Sequence, residues 1–156
     1  MTTFTYSHSD DDLLNQPIGY WSSAAGAAVV THIRTALAEL GLTQPQWWIL
    51  NQLLDAPPEG RDGAEVVAVL RGYLETGESS LRHGIGALHD RGLLTEDAAG
   101  RLALTGEGRA LRDRVAERQR SILAEIREGI TDEEYVRTLK VLQRMIHNVG
   151  GSAWHH

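Results

Sequence analysis

The chain has 156 residues, of which 42% are hydrophobic and 23% charged, with a net charge of −6 and no cysteine. That size and balance predict one globular domain with an ordinary core, and the missing thiols exclude disulfides and thiolate metal centres. No apolar run reaches the ~18 residues of a membrane span, and the polar start MTTFTYSHSDDD is no signal peptide, so the expected compartment is the cytoplasm with no membrane partner.

The charge is unevenly spread. Residues 1–70 hold two basic side chains, Arg34 and Arg61, against eight acidic ones, whereas residues 71–120 hold nine Arg against eight Asp and Glu. A nucleic-acid reader needs a basic footprint only on the face that docks, so the middle third is where such a face is expected.

Residues 1–16 are polar, carry the Asp10-Asp11-Asp12 run and read as a flexible arm. From Pro17, favourable in a first helical turn, an Ala-rich segment runs to Leu40 and stops at Gly41. Ile18, Trp21, Ala25, Ala28, Ala36 and Leu40 recur along it at helical spacing. Thr43 and Gln46 then form a capping box, with Leu42 and Trp47 at the staple positions, which predicts a second helix to about Leu54. After Pro57-Pro58-Glu59-Gly60, residues 64–74 predict a third helix, broken at Thr76-Gly77, and residues 79–90 a fourth with Leu81, Ile85 and Leu88 inward. Residues 93–95 and 102–104 read as strands around a turn at 96–100. A long charged helix over 107–128 carries Leu111, Val115, Ile122 and Ile126 on one face. Thr131 and Glu134 repeat the capping pattern before a last helix to about Val149, leaving 150–156 as a tail.

A helix followed by a small hairpin with Arg101 at its tip is a shape that fits duplex DNA: the helix enters the major groove and the hairpin meets the backbone or the minor groove. The two long amphipathic ends have little to pack against in a monomer. A symmetric homodimer that interleaves them would set two reading heads about one helical turn apart, matching a palindromic operator.

The stretches GLTQPQWWILNQL, SSLRHGIGALHDRGLL, Arg101 and LTGEGRALRDRV, followed by ITDEE, together resemble MarR-type winged-helix transcriptional regulators over about residues 17 to 148. The resemblance implies a mainly α (α+β) fold, a winged helix-turn-helix with a two-stranded β-wing and N- and C-terminal dimerisation helices. On this reading 17–149 is a single winged-helix domain, with 17–40 and 107–149 as dimerisation helices and 43–104 as the DNA-binding lobe. The resemblance further implies a recognition helix at 79–90, a wing at 95–104 and a ligand-responsive crevice between lobe and dimer helices. Three features depart from the family pattern: a short wing tip, DAAGR, with one arginine; a long RGYLETGESS segment before the recognition helix; and Gly84 and Gly86 inside that helix, each costing about 1 kcal/mol relative to Ala.

The candidate DNA contacts are Ser79, Ser80, Arg82, His83, Arg91 and Arg101. Arg82 can pair bidentately with guanine, and the serines either contact phosphate or cap the helix. Arg91 either reaches a phosphate or complements the helix C-terminal dipole, and Arg101 is either a wing contact or the partner of Asp97. Arg109, Arg112, Arg114, Arg118 and Arg120 alternate with Asp113 and Glu117 and read as a charge-laced exposed face. Tyr20, Trp21, His32 and Trp47 are candidate contacts for a flat aromatic effector; the alternative is that the rings build the core. Trp47 and Trp48 point about 100° apart and do not share one environment.

No catalytic motif, cofactor motif or paired-histidine metal motif occurs; the seven His are scattered. The expected function is a ligand-responsive repressor rather than an enzyme. Two alternatives remain open at this point: a winged-helix protein that has lost strong DNA binding and acts through protein contacts, and a protein that sequesters a small aromatic compound.

Overall fold

The computed structural model describes residues 3–72 and 77–153. Tyr73, Leu74 and Thr76, where the third helix was expected to end and break, lie outside the described residues, as does the terminal His155-His156 pair.

In the arm, Ser9 accepts from the Asp12 amide and caps a single turn, α1 (Asp10–Leu13). This turn was not foreseen. Helix α2 (Ile18–Glu39) follows Pro17 and ends where Gly41 adopts φ +73°, a conformation that glycine reaches without a Cβ penalty. Thr43 and Gln46 form the expected reciprocal capping box at the start of α3 (Gln44–Leu53): the Thr43 amide donates to Gln46 Oε1 at 3.0 Å, and the Gln46 amide to Thr43 Oγ1 at 3.3 Å. Both staple residues, Leu42 and Trp47, are buried.

A two-residue strand, β1 (Arg61–Asp62), leads directly into α4 (Gly63–Arg71), which Asp62 caps by accepting from the Ala64 amide at 2.9 Å. Helix α5 (Glu78–Asp90) is followed by the hairpin β2 (Leu94–Glu96) and β3 (Arg101–Leu104). The sheet therefore has three strands in the order β1-β3-β2, all antiparallel, where the sequence reading gave two. Glu96 pairs with Leu102 on one side, and Leu102 with Arg61 on the other. The turn at the hairpin's end is closed by Asp97, whose Oδ1 accepts from the amides of Ala99 and Arg101, both at 2.9 Å, while Gly100 takes φ +78°.

Thr105 caps α6 (Gly106–Ile126), accepting from the Gly108 amide at 3.0 Å and donating its hydroxyl to the Gly92 carbonyl. A Cβ on Gly108 would lie 1.9 Å from the Leu93 carbonyl oxygen, so only glycine lets α6 start against the hairpin here. Thr131 and Glu134 make the second expected capping box at α7 (Asp132–Asn148).

One core joins these elements. Leu37 from α2; Ile49, Leu50 and Leu53 from α3; Val66 and Leu70 from α4; Leu81, Ile85 and Leu88 from α5; Leu94 and Leu102 from the sheet; and Leu111 and Val115 from α6 all belong to it. Burial of such side chains contributes about 1.5–3 kcal/mol each, which is what fixes α5 against α3 and the hairpin. The flanks behave differently. In the single chain α2 buries only Ala36 and Leu37 at its C-terminal end, and α7 buries nothing. Ile18, Tyr20 and Trp21 on α2, and Val136, Leu139, Val141 and Met145 on α7, are large apolar side chains left exposed.

Candidate nucleic-acid interface

With Leu81, Ile85 and Leu88 turned into the core, helical geometry turns Arg82, His83, Gly86 and His89 of α5 to solvent. The helix begins at Gly77, which supplies no side-chain cap. Ser79 and Ser80 are therefore not the caps of this helix and lie exposed in its first turn. First-turn amides of a helix have no carbonyl partner within it, and they favour anions there.

Gly84 explains how α5 crosses α3. A Cβ there would stand 3.2 Å from Ile49 Cδ1 and 3.8 Å from Gln46 Cγ, so its absence permits a close approach of the two helices. Gly86 has nothing within 4 Å of the corresponding position. Ser79, Ser80, His83, Gly84 and Ala87 form one wall of an open groove of about 470 Å³, opposite Thr43, Pro45 and Gln46 at the start of α3. Arg82 lies on the other flank of α5, where a smaller recess of about 220 Å³ separates it from Gly63, Glu96 and Leu102 of the sheet side. The structure thus brings Ser79, Ser80, Arg82 and His83 to one helix end, between α3 and the wing.

Arg82 is 55% exposed in its side chain, and its Nε donates to Glu78 Oε1 at 3.0 Å, an i,i+4 pair. The second oxygen of Glu78 lies 3.6 Å from Arg71 Nη1 at the end of α4. Neither Glu78 nor Arg71 stood out in the sequence as part of a site; the i,i+4 spacing of Glu78 and Arg82 was the available signal.

The two remaining arginines are placed apart from this cluster. Arg91, the C-cap of α5, donates from Nη1 to the Gly41 carbonyl at 2.6 Å and so ties the end of α5 to the end of α2. Arg101 opens β3 below the turn apex. Its Nε donates to the Glu59 carbonyl at 3.1 Å and its Nη2 to the Gly60 carbonyl at 2.7 Å. Asp97 bonds the Arg101 amide, so the side-chain pairing with Asp97 across the turn is replaced by a brace onto the loop before β1.

The residues expected to line an effector crevice do not converge within one chain. Tyr20 and Trp21 form an edge-to-face pair 5.4 Å apart near the start of α2. Trp21 also faces a recess of about 520 Å³ with Phe4, Tyr6, Leu13 and Ile18, and the Phe4 and Tyr6 rings meet edge to face at 4.9 Å. Reading residues 1–16 as a flexible arm missed this pair, although the Phe4-Thr5-Tyr6 alternation was visible. Trp47 is only 6% exposed and belongs to the core, with the Arg112 guanidinium 5.9 Å above its ring. His32 joins α2 to α6 through Nε2 and Glu125 Oε2 at 2.7 Å, and Arg118 donates to the other oxygen at 2.7 Å. The hydrogen bonds from Arg118 and then His32 hold the Glu125 carboxyl below the usual carboxylate range. Arg109, Arg114 and Arg120 lie exposed on α6 as expected, whereas Arg112 and Arg118 are half-buried, bonding Asn51 and Glu125. Among the described residues no group of three or more His, Asp or Glu is placed to hold a metal ion, and no helix is long and apolar enough to cross a membrane.

No family model matches the chain, and no curated protein is similar to it in sequence. Solved structures are. A MarR family protein of Mycobacterium tuberculosis in complex with DNA is 25% identical, with a TM-score of 0.64 over 83% of this chain and 98% of that one. A MarR family transcriptional regulator from Rhodococcus sp. RHA1 is 25% identical, with a TM-score of 0.65 over 90% and 97%. CouR from Rhodococcus jostii RHA1, bound to p-coumaroyl-CoA, is 26% identical, with a TM-score of 0.65 over 85% and 93%. The chain therefore has the winged-helix fold of these MarR family transcriptional regulators, which it matches over 83%, 90% and 85% of its length.

Proposed function

We propose that the chain is a homodimeric, cytoplasmic repressor that sets one α5 into each major groove of a palindromic operator and releases it when a small aromatic molecule binds. The observation that carries this reading is the solvent-facing end of α5. Ser79, Ser80, Arg82 and His83 surround a helix start without a side-chain cap, beside a wing braced by Arg101. Amides and serine hydroxyls at such a start suit a phosphate, and Arg82 suits the O6 and N7 edge of guanine. In this reading Arg101 fixes the wing's base and Arg91 the far end of α5, each positioning the residues that meet DNA. The solved complex of the Mycobacterium tuberculosis relative with DNA supports the partner class.

The second copy is expected on the open flanks of α2 and α7, where Ile18, Trp21, Val136, Leu139 and Met145 stay exposed in the single chain. The aromatic effector is supported by p-coumaroyl-CoA in the Rhodococcus relative and by the Tyr20–Trp21 ring pair on α2, with His32 further along the same helix. Trp47 belongs to the core instead.

Fluorescence anisotropy with the DNA flanking the chain's own gene tests the reading, alongside light scattering for mass. Expected are a dimer, binding that weakens steeply with added salt, and a loss of about tenfold in specific affinity for Arg82→Ala. A monomer, or no binding at low salt, refutes it.

A further inference from the structure

Exposed i,i+4 ion pairs add little to helix stability, so the Glu78–Arg82 contact calls for attention to geometry rather than strength. It engages Arg82 through Nε alone. Among the described residues the two terminal nitrogens of that guanidinium have no protein partner, and they form the fork that fits a guanine edge. A carboxylate that merely masked Arg82 would engage the fork itself, as bidentate Arg–carboxylate pairs do. Glu78 is also tied from behind, because its second oxygen is within ion-pair range of Arg71 Nη1 on α4. The result is a line of three side chains, Arg71, Glu78 and Arg82, running from the end of α4 onto the exposed side of α5. Glu78 also stands first in α5, where a negative charge is favourable to the helix but repels phosphate.

We propose that Glu78 is a positioning residue for sequence readout: it holds the Arg82 side chain by Nε so that its terminal nitrogens meet a guanine, while Arg71 holds Glu78. This rests on α5 being the DNA-reading helix. Arg82 is a long, rotamer-rich side chain, and fixing it before contact lowers the entropy lost on binding. Because the carboxylate repels phosphate, Glu78 sharpens specificity at the expense of overall affinity, which a residue with a purely structural role does not do.

The test uses a duplex enriched from a random library by the full wild-type chain, and a scrambled duplex of the same composition. Anisotropy gives the ratio of the two affinities for wild type, Glu78→Ala, Glu78→Gln, Arg82→Ala and the Glu78→Ala/Arg82→Ala double variant. Circular dichroism confirms that each is folded. Glu78→Ala is expected to lower the ratio about fivefold while tightening binding to the scrambled duplex, because a negative charge has gone. Glu78→Gln, which keeps an acceptor oxygen, retains most of the ratio. In the Arg82→Ala background, removing Glu78 leaves the ratio unchanged. A ratio that stays constant in Glu78→Ala, or equal tightening on both duplexes, overturns the proposal. If Arg82→Ala loses specificity and Glu78→Ala does not, only the role of Glu78 falls. If the wild type enriches no sequence, the repressor reading falls with it.

Discussion

The two glycines inside α5 have the same helix propensity and opposite surroundings, which makes them a matched pair for testing how α5 is packed. Gly86→Ala adds a methyl group where nothing lies within 4 Å. It should gain the propensity difference of about 0.8–1 kcal/mol, equivalent to roughly 2–4 °C in Tm for a chain of this size. Gly84→Ala gains the same propensity but places its Cβ 3.2 Å from Ile49 Cδ1, so a fully buried side chain must move by a few tenths of an ångström. Overpacking of a filled core costs about 1–3 kcal/mol, so the net change at Gly84 runs from about zero to 2 kcal/mol destabilising. The two variants should therefore differ by about 1 kcal/mol or more. Urea unfolding followed by circular dichroism at one fixed protein concentration measures this through the midpoint, with m unchanged. If Gly84→Ala is as stabilising as Gly86→Ala, the α3–α5 crossing is looser than described, and the account of Gly84 is wrong.

Three further outcomes follow from packing and charge. Gly108→Ala meets the Leu93 carbonyl at 1.9 Å, a backbone atom that cannot rotate away, so a loss of about 3 kcal/mol or more is expected, read as a large drop in thermal midpoint. Arg101→Ala frees the Glu59 and Gly60 carbonyls, and hydrogen exchange should quicken in β1 and β3 while α6 and α7 keep their protection. Glu125 has a carboxyl titrating lower in the folded chain than in the unfolded one, so it stabilises above its unfolded value of 4.5 and loses that effect as pH falls through the lower folded one. The acid limb of the stability profile should accordingly be shallower in Glu125→Gln, and an unchanged limb argues against the His32–Glu125–Arg118 contact.

Local signals were readable in the sequence. Both capping boxes involve residues three apart, and the Leu81, Ile85, Leu88 spacing fixes which side of α5 is buried, so the start of α3, the start of α7 and the outward face of Arg82 all emerged from short windows. Pairings across the chain were not readable. Strand β1 is two residues long, shows no alternation, and exists only because Arg61 and Asp62 meet Leu102 and Arg101. Arg91 finds a carbonyl 50 residues away, and Arg101 finds two at 42 and 41. A backbone acceptor carries no sequence label, which is why neither bond was among the alternatives that the sequence offered for the two arginines. Gly84 looked like a propensity loss because its compensation lies on another helix.

The Arg91–Gly41 bond has a mechanical consequence. It couples the trailing end of α5 to the last residues of α2, while Ser79 and Ser80 sit at the leading end, about 18 Å away along the axis at 1.5 Å per residue. Pivoting about that anchor by roughly 10° carries Ser79 sideways by about 3 Å, close to the rise of one base pair. If α5 reads an operator as proposed, a modest swing of α2 suffices to take it out of step with its half-site.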